Sequence, residues 1–333
     1  METLDRCELC RGTEFSPFLK GRDRLHGIGS EFQLVRCLGC GLVFVNPRPD
    51  REEIKGFYPP GYGPHEESGG PSHRHRLSPL RRRIYSVFYN YPHGNQRNGI
   101  LLKMLLLPLK WAVARNTIAF QGEGKILDIG AGSGSFLASM KSLGWDPYGV
   151  DINPEAIERA RGLGVKMFLG EVQNASFPER FFDVITLRAV LEHVHKPVET
   201  LQMVHRILKD QGMVYIVVPN IASLNFRLFG RFWYALEAPR HLYAYSPNVM
   251  RRLARKTEFE VLSMRFRSST RGLRASLQYW YDDRKGFEAN RPFMSSKALR
   301  LVGKIWRRIT DLLHLGDTVE YRLVKMVSGR SMT

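Results

Sequence analysis

A short apolar run, Lys125-Ile126-Leu127-Asp128-Ile129, leads directly into Gly130, Gly132 and Gly134 and then into Ser135-Phe136. A strand that ends in glycines and reopens as a helix puts a ligand crevice at the strand's carboxyl end, where the backbone can approach a ligand without Cβ interference. The residues that follow keep the same rhythm. Ser135–Leu143 reads as a helix, Pro147–Asp151 as a strand, and Pro154–Gly162 as a helix opened by proline and closed by glycine. Val165–Leu169, Phe182–Leu187 and Gly212–Val218 read as strands with a helix at Val198–Leu208, and Phe259–Arg267 and Thr318–Val327 as two further strands. This alternation predicts an α/β fold, a doubly wound, mostly parallel sheet of seven strands. Residues 80–118 read as helical, interrupted at Pro92 and Pro108, and 272–315 as a helical insertion rich in Arg, Trp and Tyr.

Three ligand classes compete for such a glycine loop. A P-loop needs Gly-Lys-Ser/Thr, and Gly134 is followed by Ser-Phe. A dinucleotide fingerprint wants its third glycine at position 135, which is Ser135. The observed form instead has a carboxylate, Asp128, two residues ahead of the first glycine. That suits a ligand with an ammonium and a sulfonium, S-adenosylmethionine, and would repel a pyrophosphate. Asp151, at the end of the second strand, can accept hydrogen bonds from two ribose hydroxyls.

All four cysteines lie in the first 40 residues, as Cys7-x-x-Cys10 and Cys37-x-x-Cys40, with Gly39 and Gly41 suited to tight turns around sulfur. Two such knuckles bring four thiolates to the corners of a tetrahedron, the set that Zn²⁺ prefers. With four protein ligands the ion has no open position, so the expected Zn²⁺ is structural.

Net charge is +18. Residues 1–50 are balanced, seven basic against seven acidic, and so are 125–220, ten against eleven. The excess sits in 71–124, nine against one, and in 221–333, twenty-two against nine. A neutral core flanked by basic segments fits an anionic acceptor or surface, although rows of solvated surface arginines would give the same count. The most apolar window, Ile100–Leu109, holds Lys103 and Pro108 and is far shorter than the roughly 20 residues that span a bilayer. The expectation is a cytoplasmic protein, with peripheral contact at the inner membrane face an option beside Arg81-Arg82-Arg83. The domain reading is a zinc ribbon over 1–50, a linker and helical cap over 51–120, and the sheet domain over 121–333.

With Asp128, the three glycines and Asp151 in place, residues 125–220 resemble the core of the class I S-adenosylmethionine-dependent methyltransferases, a Rossmann-like fold. The resemblance implies that Ile152 packs on the adenine, that Gly170-Glu171-Val172 meets the adenine edge, and that Leu187-Arg188-Ala189 lines the methyl-donor pocket. Two histidine motifs stand on the acceptor side, Leu191-Glu192-His193-Val194 and Pro239-Arg240-His241-Leu242-Tyr243. A neutral imidazole is a suitable base for a nucleophile that carries a proton, and a packing or loop-ordering role is the plainer alternative.

The whole layout, with its ribbon, its Phe57/Tyr58/Tyr62 segment and its two histidine motifs, is similar to bacterial methyltransferases of surface-polysaccharide and deoxysugar pathways. The zinc-ribbon sugar C-methyltransferases among them imply catalytic roles for His241, His193 and a tyrosine matched to Tyr62. Arg240 stands where that branch has glutamate, which leaves C-, N- and O-transfer open. The expected function is methyl transfer to a nucleotide- or lipid-linked sugar. An RNA methyltransferase, with nucleic acid as partner, and a non-catalytic binding protein of the same fold are the alternatives.

Overall fold

The computed structural model describes residues 1–59, 79–92, 100–113, 117–285 and 292–326. The chain divides into two compact units. One is formed by Met1–Pro60, Leu187–His205 and Val214–Thr333, the other by Gly61–Thr186 and Arg206–Met213.

In the first unit, strands β1 (Phe15–Gly21), β2 (Phe32–Cys37) and β3 (Val43–Val45) form an antiparallel meander. A fourth strand comes from far along the chain. Tyr243–Ala244 pairs antiparallel with β3, Phe44 opposite Tyr243, so the cysteine-bearing sheet is completed by the residues that follow His241. Phe32, Leu34, Val43 and Val45 pack with Trp233, Leu236 and Ala238, which fixes the 233–241 segment against this sheet.

The larger sheet contains β4 (Lys125–Ile129), β5 (Asp146–Asp151), β6 (Lys166–Leu169), β7 (Phe182–Arg188), β8 (Leu208–Pro219), β10 (Phe259–Arg267) and β11 (Thr318–Lys325), where β9 is Tyr243–Ala244. Its order is β10-β11-β8-β7-β4-β5-β6. The pairs β4/β5 and β5/β6 are parallel, and β11 runs antiparallel to both its neighbours. This is the doubly wound, seven-stranded, mostly parallel sheet that the alternation predicts. Ile126, Leu127, Val184 and Ile185 are fully buried, as the continuous apolar runs of inner parallel strands require.

The helices α1 (Pro79–Tyr89), α2 (Ile100–Val113), α3 (Ser135–Ser142), α4 (Pro154–Gly162) and α5 (Pro197–Ile207) precede or connect the central strands. Asn153 caps α4 by accepting from the amides of Glu155 at 2.8 Å and Ala156 at 3.1 Å, with Pro154 in the first turn. Helix α2 differs from expectation, because it runs through Pro108 without ending. Proline deprives the carbonyl four residues back of its partner, and that residue, Met104, is 67% exposed, so water can replace the lost bond. Toward the carboxyl end lie α6 (Leu224–Phe229), α7 (Pro247–Lys256), α8 (Thr270–Lys285), the short α9 (Pro292–Ser295) and α10 (Lys297–Leu312). The last three lie in the chain between β10 and β11.

Candidate active site

In the second unit the glycine loop is held from both sides. Gly130 and Ala131 donate backbone bonds to the Val150 carbonyl at 2.8 and 3.1 Å. Gly130, Gly132 and Gly134 all have positive φ, and a Cβ on Gly134 would come within 2.5 Å of the Ala160 side chain. Only glycine satisfies both demands there. Asp128 is 1% exposed and accepts from the Thr186 hydroxyl. Asp151 accepts from the Gly132 amide at 2.7 Å and the Asn153 amide at 2.9 Å. Each of its carboxylate oxygens therefore keeps lone-pair capacity for a ligand hydroxyl while already shaping the loop. Beside it Ile152 is 64% exposed, an apolar side chain that an adenine face would cover. Val172 is buried, so only its backbone can reach a ligand, and Arg188 is exposed at the end of β7 in the other unit. A carboxylate pair, a Cβ-free cradle and an uncovered isoleucine fit S-adenosylmethionine.

The first unit brings His193 and His241 together, their rings 4.7 Å apart and nearly perpendicular. His241 Nδ1 is 2.9 Å from the Ala235 carbonyl, and His193 Nδ1 is 2.9 Å from the Arg240 carbonyl. A carbonyl only accepts, so each Nδ1 carries the proton and each Nε2 keeps its lone pair. Tyr58 places its hydroxyl 3.1 Å from His193 Nδ1. Burial pushes His193 down to about 3, helped by the neighbouring His241, and His241 down to about 4. Both are neutral near pH 7. Glu192 is fully enclosed, and neither of its carboxylate oxygens has a hydrogen-bond partner among the described residues. Burial raises it to about 8, which keeps it a neutral acid. Ligand atoms of Glu192, His193 and His241 lie within 4.8 Å of one another, a set able to take a divalent cation.

Arg240 has a different task from the glutamate that the sugar C-methyltransferase pattern has at this position. It is completely buried and forks onto Asp23 at 2.6 and 2.8 Å, with further bonds to the Phe57 carbonyl at 3.2 Å and Glu237 at 3.3 Å. The carboxylate beside the histidine comes from one turn earlier, Glu237, whose Oε2 is 4.0 Å from His241 Nε2. Glu237 sits at φ +32°, a backbone state that non-glycine residues adopt rarely and that clusters at functional sites. It also lines a small cavity with Arg22, Arg24, Arg231, Trp233 and Tyr234. Asp283 pairs with all three arginines, at 3.1, 2.8 and 3.4 Å. Glu237 lines the same corner and Glu31 stands 4.0 Å from Arg231, so three carboxylates balance the three guanidinium groups there.

The four cysteine sulfurs gather as expected and form no disulfide. Cys7 and Cys40 are 3.6 Å apart, Cys10 and Cys37 3.4 Å, and all four lie within 4.8 Å of one another. Tetrahedral thiolates about 2.3 Å from a Zn²⁺ would stand roughly 3.8 Å apart. The Gly12 amide points at Cys10 Sγ, 3.4 Å away.

Tyr62 lies outside the described residues. Tyr58 contacts the histidine, and the aromatic Phe57-Tyr58 segment carried that signal. Asp23 and Glu237 had none, since Asp23 meets Arg240 across more than two hundred residues.

A family of proteins described as "Methyltransferase domain" matches residues 107–264. With the strand order, this defines a class I S-adenosylmethionine-dependent methyltransferase domain, the domain of an enzyme. The chain is 31% identical over 111 residues to a demethylmenaquinone methyltransferase of Chlorobaculum tepidum, covering 32% of this chain and 46% of that protein. It is 27% identical to a ubiquinone biosynthesis O-methyltransferase of Thiobacillus denitrificans, covering 46% of this chain and 71% of the relative. The chain thus spans about half the length of several curated relatives it matches. A solved S-adenosylmethionine-dependent methyltransferase from Thermotoga maritima superposes with a TM-score of 0.44 at 16% identity, covering 74% of this chain and 98% of that one.

Proposed function

We propose that the protein transfers a methyl group from S-adenosylmethionine to an oxygen of a saccharide that carries a phosphate or pyrophosphate, as in a nucleotide- or lipid-linked sugar. The observation that carries the reading is the His193/His241 pair, two neutral imidazoles whose protons lie on Nδ1, with Glu237 4.0 Å from His241 Nε2. Bound at the glycine loop, S-adenosylmethionine supplies an electrophilic methyl on a sulfonium. Asp151 would hold the ribose, Asp128 the cationic end, Ile152 the adenine face, and Glu171 and the Val172 backbone its edge. Arg188 would line the donor pocket. His241 Nε2 would take the acceptor hydroxyl's proton as the oxygen–methyl bond forms and the sulfur–methyl bond breaks. Glu237 would stabilise the imidazolium, while His193 and Tyr58 orient the hydroxyl. The basic excess of residues 221–333, twenty-two against nine, supports an anionic acceptor, because guanidinium groups bind phosphate bidentately.

The cysteine cluster is read as a structural Zn²⁺ site whose ion supplies folding free energy to residues 1–50. Linker and cap over 51–120 and the catalytic domain over 121–333 complete the proposed organisation. A second acceptor, a quinone-ring oxygen, is favoured by the names of the relatives. Incubation with methyl-labelled S-adenosylmethionine and nucleotide sugars, polyprenyl-linked sugars, hydroxylated quinone precursors and RNA tests the proposal. Label in a sugar supports it; label confined to a quinone or to RNA overturns it.

A further inference from the structure

Helix α10 has three distinct faces. Gly303 and Thr310 are buried, and the Trp306 indole donates to Asn225 at 2.9 Å, so this face packs on the protein. The second face is apolar and open to solvent: Leu301 is 62% exposed, Val302 50%, Ile305 58%, Ile309 44% and Leu312 80%. At about 100° per residue these side chains fall in a single arc of roughly 120°. Lys297, Arg300, Lys304, Arg307 and Arg308 fill the remaining arc, and the helix's one acid is Asp311.

We propose that this face lies in the interface of an anionic lipid bilayer, with the apolar row in the acyl boundary and the basic row among the phosphates. The charge selects the occupant. A second copy of the chain would bring another basic row against the first, within a segment holding twenty-two basic residues against nine acidic. Anionic lipid neutralises that row instead, each Lys or Arg near the surface adding attraction. The helix lies along the surface, since no described helix is long and apolar enough to cross a membrane. This surface does not depend on which acceptor is methylated.

Flotation of the full chain with phosphatidylcholine vesicles, with and without phosphatidylglycerol, is the test. Wild-type protein should float with the anionic vesicles at low salt and much less with the neutral ones. Leu301→Gln with Ile305→Gln should lower partitioning by roughly a hundredfold, and Lys304→Gln with Arg308→Gln by roughly 30-fold. Leu262→Gln, which removes an equally exposed leucine on β10, should float like wild type; unchanged circular dichroism would show that all variants fold. No flotation of wild type on anionic vesicles overturns the proposal. So does equal flotation of the apolar-face variant, or a dimer in sedimentation equilibrium that Leu301→Gln dissolves without any vesicle binding.

Discussion

Replacing Asp23 by Asn tests the anchor beneath the histidine pair. Asp23 and Arg240 both have fully buried side chains, and the guanidinium forks onto the carboxylate at 2.6 and 2.8 Å. Asparagine keeps one oxygen for the amides of Leu25 and His26, at 3.0 and 3.1 Å. It then turns an amide donor toward a guanidinium donor and leaves a buried cation short of its counter-ion. Breaking a buried pair in this way costs about 3–5 kcal/mol. Glu237, 3.3 Å from the same guanidinium, offsets part of it, which argues for the low end, about 3 kcal/mol, or roughly a hundredfold in the unfolding equilibrium. Urea unfolding followed through the fluorescence of buried Trp233 should show a lowered midpoint. Asp23→Asn with Arg240→Met should recover most of the loss, because no uncompensated charge remains. The Arg240 pairing and backbone hold Asp23 below its ordinary range although burial opposes this, so the stabilisation is present above about pH 4 and is lost as pH falls through the lower folded value. A midpoint within experimental error of wild type, or a double variant as unstable as the sum of the single ones, would refute this reasoning.

Asp151→Ala should weaken S-adenosylmethionine binding by roughly a hundredfold in calorimetry, from lost charge-assisted ribose bonds and a loosened Gly132 amide; unchanged affinity would remove the ribose assignment. His241→Phe should lower kcat by about 10²–10⁴ while leaving the donor's Kd intact, and Glu237→Gln should lower it less; full activity in His241→Phe rules out its role as base. Both histidines have folded values depressed below the ordinary 6.5, so the unfolded chain binds protons first as pH falls. The histidines' contribution to stability should therefore decline from about pH 6.5 toward 4, against the opposite contribution of the raised Glu192, and His193→Phe should lower that histidine contribution in thermal melts. Metal analysis should find one Zn²⁺ per chain. Chelation or Cys10→Ser should loosen residues 1–50 in hydrogen exchange, and a metal-free protein with unchanged protection would refute the structural ion.

The sequence by itself determined the glycine turn and the two aspartates that flank it. A strand, a positive-φ glycine turn and a carboxylate on the next strand are local requirements, so Asp128, Gly130, Gly132, Gly134 and Asp151 stand where short-range pattern puts them. The two CxxC knuckles were legible for the same reason, each being a tight turn around sulfur. The surroundings of the two histidines were not. His193 and His241 could be nominated, but their tautomers depend on the carbonyls of Arg240 and Ala235, which no pattern announces. The residue at position 240 pointed to a missing carboxylate; tertiary structure made that arginine a buried partner for Asp23 and supplied Glu237 in its place. Pairing of Tyr243–Ala244 with β3 joined the cysteine-bearing sheet to the histidine loop. Such choices rest on long-range desolvation and ion pairing, which depend on what surrounds a residue in space, whereas a turn depends only on its neighbours in the chain.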